Sequence, residues 1–354
     1  MSTLCQVFVY VLSRLAGVSL AVRRGLRPML RRTPTPGAVM VVVLAGGVGG
    51  ARFLSGLVRI VAPAEVTAIV NVGDDVDVSG LRVCPDLDTI TYRLAGVVHP
   101  SQQWGRDHES FVVSGELRRF GHPDWFTLGD RDLAVHLHRT LRLRQGAPLS
   151  RVTDEIRRAF GVEVRLLPAT DDPLTTTVTT RDGRTLGFQE YWVRERAAPE
   201  VDHVTAVGAD DAQPAPGVVE AIEDADVVLF APSNPVVSLG PILAVEQIRS
   251  AVARTRAPVV GVSPIIGGRV VLGMADRLLP SVGAEVSATG VARHLADLLD
   301  GWIVDTQDRD AVDTIRGLGI ECQATDTMMD DPGIAGALAS TCLDVASRVR
   351  GAAA

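Results

Sequence analysis

The apolar positions of this chain gather into short β-branched runs separated by amphipathic stretches. Residues 39–44, 66–72, 227–231 and 259–262 are almost unbroken runs of Val, Leu, Ile and Ala, and 302–305 is a shorter fifth. Runs without polar alternation predict strands buried on both faces, and the helical spacing between them predicts a parallel sheet with helices on each side. From 105 to 196 the rhythm changes. Residues 117–120 and 133–143 predict helices, whereas 162–168, 175–180 and 185–193 predict short strands, with Arg181-Asp182-Gly183-Arg184 as a hairpin turn. The expected fold class is α/β: a Rossmann-like parallel sheet core from 40–104 and 197–354, with a smaller α+β subdomain inserted at 105–196. In such sheets ligands sit beyond the carboxyl ends of the strands.

The first 39 residues differ from the rest. They carry six Arg and no acid, and near their end runs Thr33-Pro34-Thr35-Pro36-Gly37. The apolar stretch 7–22 is interrupted by Arg14 and is too short for a membrane span. Residues 1–39 are therefore expected to be an extension outside the fold, with Met40 opening the first strand.

Composition removes several classes of function. A net charge of −7 with only 4% aromatics argues against a nucleic-acid surface. All 35 basic residues are Arg, so a Schiff-base lysine and a Walker-type phosphate lysine are both excluded. Cys5, Cys84, Cys322 and Cys342 lie far apart without metal-ligand spacing, which points to reduced thiols and a cytoplasmic protein.

The candidate chemistry follows the strands. Leu44-Ala45-Gly46-Gly47-Val48-Gly49-Gly50-Ala51-Arg52-Phe53 turns from the first strand into a helix. A dinucleotide fingerprint would need glycine where Arg52 stands, and the P-loop pattern fails for want of its lysine. What remains is a nest of backbone N–H groups on Gly46, Gly47, Gly49 and Gly50 at a helix start, with Arg52 as a cation, or else a tight packing turn. Asn71-Val72-Gly73-Asp74-Asp75 ends the second strand, and Cys84-Pro85-Asp86-Leu87-Asp88-Thr89 follows. With Asp77, these acids invite a hard cation such as Mg²⁺ if they converge, and are helix caps if they do not. Asp86 and Asp88 are expected to divide those roles, one capping and one reaching a metal, while Cys84 is expected to pack. In Leu128-Gly129-Asp130-Arg131-Asp132, Asp130 or Asp132 is expected to cap a helix, leaving Arg131 to face an anion or a polar ring. His136 and His138, two apart, share no helical face and are expected to pack or to lie on the surface. Ser233-Asn234 between Pro232 and Pro235, and Ser263-Pro264-Ile265-Ile266-Gly267-Gly268, offer rigid polar loops suited to a nucleotide, or ordinary strand-to-helix turns.

Taken in order, GGVGGARF, NVGDD, CPDLDT, LGDRD, APSNPVVS and SPIIGG resemble the 2-phospho-lactate transferase family of coenzyme F420 biosynthesis, nearest to its actinobacterial phosphoenolpyruvate transferase branch. The likeness begins at about Met40. It implies Mg²⁺-dependent transfer of an enolpyruvyl or lactyl phosphoryl group from a guanosine diphospho donor to the ribityl hydroxyl of the deazaflavin 7,8-didemethyl-8-hydroxy-5-deazariboflavin, releasing GMP. It further implies Asp74 and Asp88 as metal ligands, Asp88 and Arg131 as catalytic residues at the deazaflavin, and the glycine turn, Arg52, Ser233 and Asn234 facing the donor. A homodimer, with neither nucleic acid nor membrane as partner, is expected. Two other readings stay open: a nucleotide-sugar-binding regulator sharing the glycine turn and an Asp pair, and a nicotinamide oxidoreductase, which Arg52 disfavours.

Overall fold

A computed structural model describes residues 39–353, so the expected extension lies, apart from Val39, outside the described residues. Seven strands form the main sheet: β1 (Val41–Ala45), β2 (Val66–Val70), β3 (Arg165–Pro168), β4 (Val227–Phe230), β5 (Val259–Val262), β6 (Gly301–Asp305) and β7 (Glu321–Thr325). Their spatial order is 3-2-1-4-5-6-7, and every neighbouring pair is parallel. The order reverses between β1 and β4, which opens a crevice beyond their carboxyl ends. The α/β, Rossmann-like expectation is met for a plain reason. Val41, Val42, Val43 and Leu44 are each at most 2% exposed, so β1 has no wet face and its sequence has no polar alternation.

Four helices position the site: α1 (Gly47–Leu57), α2 (Pro85–Leu94), α3 (Val112–Arg119) and α4 (Asp130–Arg144). The buried side of α1 is Phe53, Leu54 and Leu57. A Cβ added at Gly56 would lie 2.3 Å from the Ala335 carbonyl carbon, so this glycine lets α1 lie directly against the C-terminal helix Pro332–Ala353. Pro85 occupies the first turn of α2, where its missing N–H leaves no intrahelical bond unmade.

The segment 105–196 contributes to the main sheet and to a separate three-stranded antiparallel sheet. Its strand at Arg165–Pro168 is the edge of the main sheet, paired with β2, rather than part of a separate unit. Thr175–Thr180 and Thr185–Gly187 form the expected hairpin through Gly183, and Val201–Val207 joins them as a third antiparallel strand. Past Gly187 the expected strand gives way to a helical turn, Glu190–Arg194, which buries Tyr191. No helix of the described residues is long and apolar enough to cross a membrane.

Candidate active site

Four of the polar clusters singled out in the sequence, the glycine turn, NVGDD, CPDLDT and APSNPVVS, meet at the carboxyl ends of β1, β2 and β4. The first contact is made by the glycine turn. Gly46 N donates to Ser233 Oγ at 3.0 Å, the same hydroxyl donates back to Gly46 O at 2.8 Å, and Gly47 N donates to Asp86 Oδ1 at 2.8 Å. With Gly50 N donating to Gly46 O at 3.3 Å, three amides of the expected nest are satisfied by the protein's own groups, one of them a carboxylate. The glycines are required by close approach as much as by ligand binding. A Cβ at Gly49 would lie 2.3 Å from the Pro232 carbonyl oxygen and one at Gly46 would lie 2.5 Å from Asp86 Oδ2, while Gly47 has φ +62°. The Asn234 side chain is turned inward, its Oδ1 accepting from Val236 N at 3.0 Å and Val237 N at 3.3 Å. Ser233 and Asn234 therefore shape this loop through their side-chain oxygens. Arg52 is half-buried and 3.6 Å from the exposed Asp330.

Asn71, at the end of β2, organises the acids. Its amide nitrogen donates to Asp74 Oδ1 at 2.5 Å, to Asp86 Oδ2 at 3.0 Å and to Val237 O at 3.1 Å, and its Oδ1 accepts from Gly73 N at 2.8 Å. Gln189, from the helical turn absent from the sequence expectation, donates to Asp74 Oδ2 at 3.3 Å. Asp75 receives the Cys84 thiol at 2.9 Å and has Arg82 at 3.6 Å, while its buried Oδ1 has no hydrogen-bond partner. Asp77 is exposed and stands apart from the cluster.

Burial and mutual repulsion raise these carboxyls out of the ordinary range. Desolvation, then Asp86 and Asp75, push Asp74 well up. Burial lifts Asp75 to about 7 against the pull of Arg82, and lifts Asp86 to about 6. Burial also raises the Cys84 thiol, leaving it a packing group and hydrogen-bond donor, as expected. Among the described residues no three His, Cys, Asp or Glu side chains are arranged to enclose a metal. Two crowded, undercompensated carboxylates at a strand end do fit a hard cation that takes its remaining ligands from water and phosphate.

The structure brings Asp74 to Asp86 through Asn71, while Asp88, the expected ligand beside Asp74, is bonded to a different partner. Both Asp88 oxygens are held by the Arg139 guanidinium, with Nη1 at 3.1 Å from Oδ2 and Nη2 bonded to Oδ1. The roles given to Asp86 and Asp88 are also shared differently. Asp86 caps, but it caps the start of α1 from across the site, and it is the same residue that joins Asp74.

Arg131 lies in the first turn of α4 and is exposed. Neither Asp130 nor Asp132 caps that helix. Glu109 does so, accepting from Arg131 N at 2.8 Å and Asp132 N at 2.9 Å, and Asp130 instead caps α3 by accepting from Val112 N and Val113 N, each at 3.0 Å. The reason lies at Gly129: it lets Glu109 pack where a Cβ would lie 2.2 Å from the Glu109 carboxyl carbon. His138 is on the surface beside Glu155, whereas His136 is buried. Burial, together with neighbouring Arg139, lowers His136 to about 4 against the pull of Asp88, so it is neutral and accepts from Arg139 Nη1 at 3.3 Å. Asn71, Gln189, Glu109 and Arg139 were not assigned site roles from sequence, and only the first lies within a motif.

A pH test follows from the raised carboxyls. Unfolded aspartates ionise near 3.9, so the stability contributed by Asp86 and Asp75 is full below that pH and is lost as pH rises through about 6 and about 7. Denaturant unfolding in chelator is expected to give a lower stability at pH 8 than at pH 5, with Mg²⁺ restoring more at pH 8. A stability that climbs over that interval without metal would contradict this assignment.

Comparison with known proteins agrees with the geometry. A family model described as 2-phospho-L-lactate transferase CofD matches residues 41–335. A phosphoenolpyruvate transferase of Streptomyces griseus is 50% identical over 315 residues, covering 88% of this chain and 99% of its own length. Proteins of the same name from Kitasatospora aureofaciens and Mycolicibacterium smegmatis are 51% and 45% identical, covering 88% and 86% of this chain and 98% of each relative. A solved UPF0052-family structure from Bacillus halodurans matches with a TM-score of 0.59 at 18% identity, covering 86% of this chain and 99% of that one, a likeness of fold alone. The chain thus belongs to the 2-phospho-L-lactate transferase CofD family.

Proposed function

We propose that this protein transfers an enolpyruvyl or lactyl phosphoryl group from a guanosine diphospho donor to the terminal ribityl hydroxyl of 7,8-didemethyl-8-hydroxy-5-deazariboflavin, releasing GMP. The observation that carries the reading is the junction of Asp74, Asp86 and Asn71 with the glycine turn, where an acid cluster that wants a cation adjoins a helix start that suits a phosphate. The family's description and the relatives' names support the transferase class.

In this reaction the hydroxyl oxygen bonds to the phosphorus bearing the three-carbon acid, the bridging P–O bond to GMP breaks, and the hydroxyl proton leaves. Such chemistry needs positioning and charge neutralisation more than a side-chain nucleophile. Asp74 and Asp86 would hold Mg²⁺, which when bound supplies positive charge to the diphosphate. The Val48 and Gly49 amides, beyond those already engaged, and Arg52 face the departing phosphate, and Arg52 reaches it by leaving the exposed Asp330. Asp88 has two of about four lone-pair positions taken by Arg139, leaving acceptor capacity for the ribityl hydroxyl. Arg131, exposed in the first turn of α4, would contact the deazaflavin ring. A homodimer in the cytoplasm completes the proposal.

The deciding experiment assays both donors, phosphoenolpyruvyl and 2-phospho-lactyl, with the deazaflavin, with and without Mg²⁺. Metal-dependent GMP release with one donor preferred by about tenfold or more is expected, the scale at which a pocket distinguishes small substituents. Tight nicotinamide-dinucleotide binding with no deazaflavin turnover would overturn the reading.

A further inference from the structure

We propose that Arg139 is a positioning residue for this reaction: its guanidinium fixes the direction of the Asp88 carboxylate, and α4 carries that clamp and the Arg131 contact on one rigid rod. The inference rests on the preceding reading of Asp88 as the residue facing the acceptor.

The geometry is unusual for a structural arginine. Arg139 is 1% exposed, and no surface ion pair explains it. It is pinned from three elements: both Asp88 oxygens on α2, the Arg82 carbonyl at 3.3 Å from the strand Leu81–Val83, and His136 Nδ1 at 3.3 Å on its own helix. A planar guanidinium bonding both oxygens leaves the carboxylate no freedom to turn about its last torsion, a constraint that lysine cannot impose. Packing alone gives no reason to keep such a pair. Buried ion pairs are replaced by well-packed apolar residues at little loss, often with gain. Orientation does give a reason, because the guanidinium holds both Asp88 oxygens in one direction beside two further carboxyls, Asp75 and Asp132. The neutral His136 completes the arrangement by accepting from the guanidinium without adding a competing charge. Arg139 stands two helical turns after Arg131, so both groups are borne by the single helix Asp130–Arg144.

The test uses the full-length protein with Mg²⁺, donor and deazaflavin. Arg139→Lys is expected to fold, with kcat lowered on the order of 10²-fold and both KM values held within about threefold, since misplacing a reacting group by about 1 Å has that effect on turnover. The double variant Asp88→Asn/Arg139→Gln is expected to be no slower than Asp88→Asn alone, because residues acting as one unit are non-additive. Should Arg139→Lys melt below the assay temperature, His136→Gln keeps the ion pair, and a fall in kcat of about threefold or more at unchanged KM is expected. Wild-type kcat in folded Arg139→Lys or His136→Gln, or single losses that multiply in the double variant, overturns the proposal. An inactive Asp88→Asn beside a fully active Arg139→Lys defeats this inference alone. A fully active Asp88→Asn defeats the reading beneath it as well.

Discussion

Asp74→Asn is expected to lose on the order of 10²–10³-fold in turnover while the metal-free protein becomes more stable, not less. Asp74 is buried, and its two oxygens accept from Asn71 and Gln189. An amide there keeps the shape but presents a donor to donors on one side, and it removes half of the carboxylate pair proposed to hold the cation. The stability gain has a different origin. Asp86 and Asp75 both push the Asp74 carboxyl up after burial itself, so the wild-type cluster stores like-charge repulsion whenever its members ionise. Removing one charge relieves it at pH 8, where the cluster is most ionised. Kinetics and denaturant unfolding of the same preparation separate the two effects. A variant that keeps turnover within fivefold, or that loses metal-free stability at pH 8, would show that Asp74 is a structural cap and not a ligand.

Gly49→Ala is expected to raise the donor KM by tenfold or more and to destabilise the fold by about 1–3 kcal/mol, the usual range for overpacking. The added carbon would lie 2.3 Å from the Pro232 carbonyl oxygen, a backbone atom that cannot rotate aside, so the whole loop carrying Ser233 must move. That displacement breaks the reciprocal bonds between Ser233 and Gly46 and carries the helix start with it. Gly47→Ala provides the comparison. Nothing lies within 4 Å of a Cβ at Gly47, and its difficulty is the φ of +62°, which for a non-glycine residue involves about 1–2 kcal/mol of backbone strain and no collision. Thermal melts with donor titrations on both variants distinguish packing from conformation. If Gly47→Ala alone disturbs donor binding, close packing of the two loops is not what the turn provides.

Much of the molecule is legible in order along the chain. The buried runs ending at Ala45, Val70 and Phe230 announce themselves because strands enclosed on both faces carry no polar alternation, and polar residues massed at their ends mark the crevice. The absence of lysine and Arg52 at the third glycine position remove familiar phosphate binders on chemistry alone. Short elements resist such reading. Glu321–Thr325 is a full member of the sheet yet mixes charge and small residues at an edge, and Glu190–Arg194 has strand-like composition but closes into a turn to bring Gln189 to Asp74.

The tertiary structure alone decided which acid does what. From spacing, Asp86 and Asp88 are equivalent, both in the first turn of one helix. In the fold they point to different partners: Asp86 meets the Gly47 amide 39 residues earlier, and Asp88 meets Arg139 51 residues later. Likewise Glu109, not the adjacent Asp130 or Asp132, caps the helix that bears Arg131. Local sequence specifies that a carboxylate is present and on which element it rides. Which cation or amide satisfies it is a contest among groups distant in the chain, settled by whichever reaches a buried oxygen with good geometry, and no pattern of spacing records that outcome.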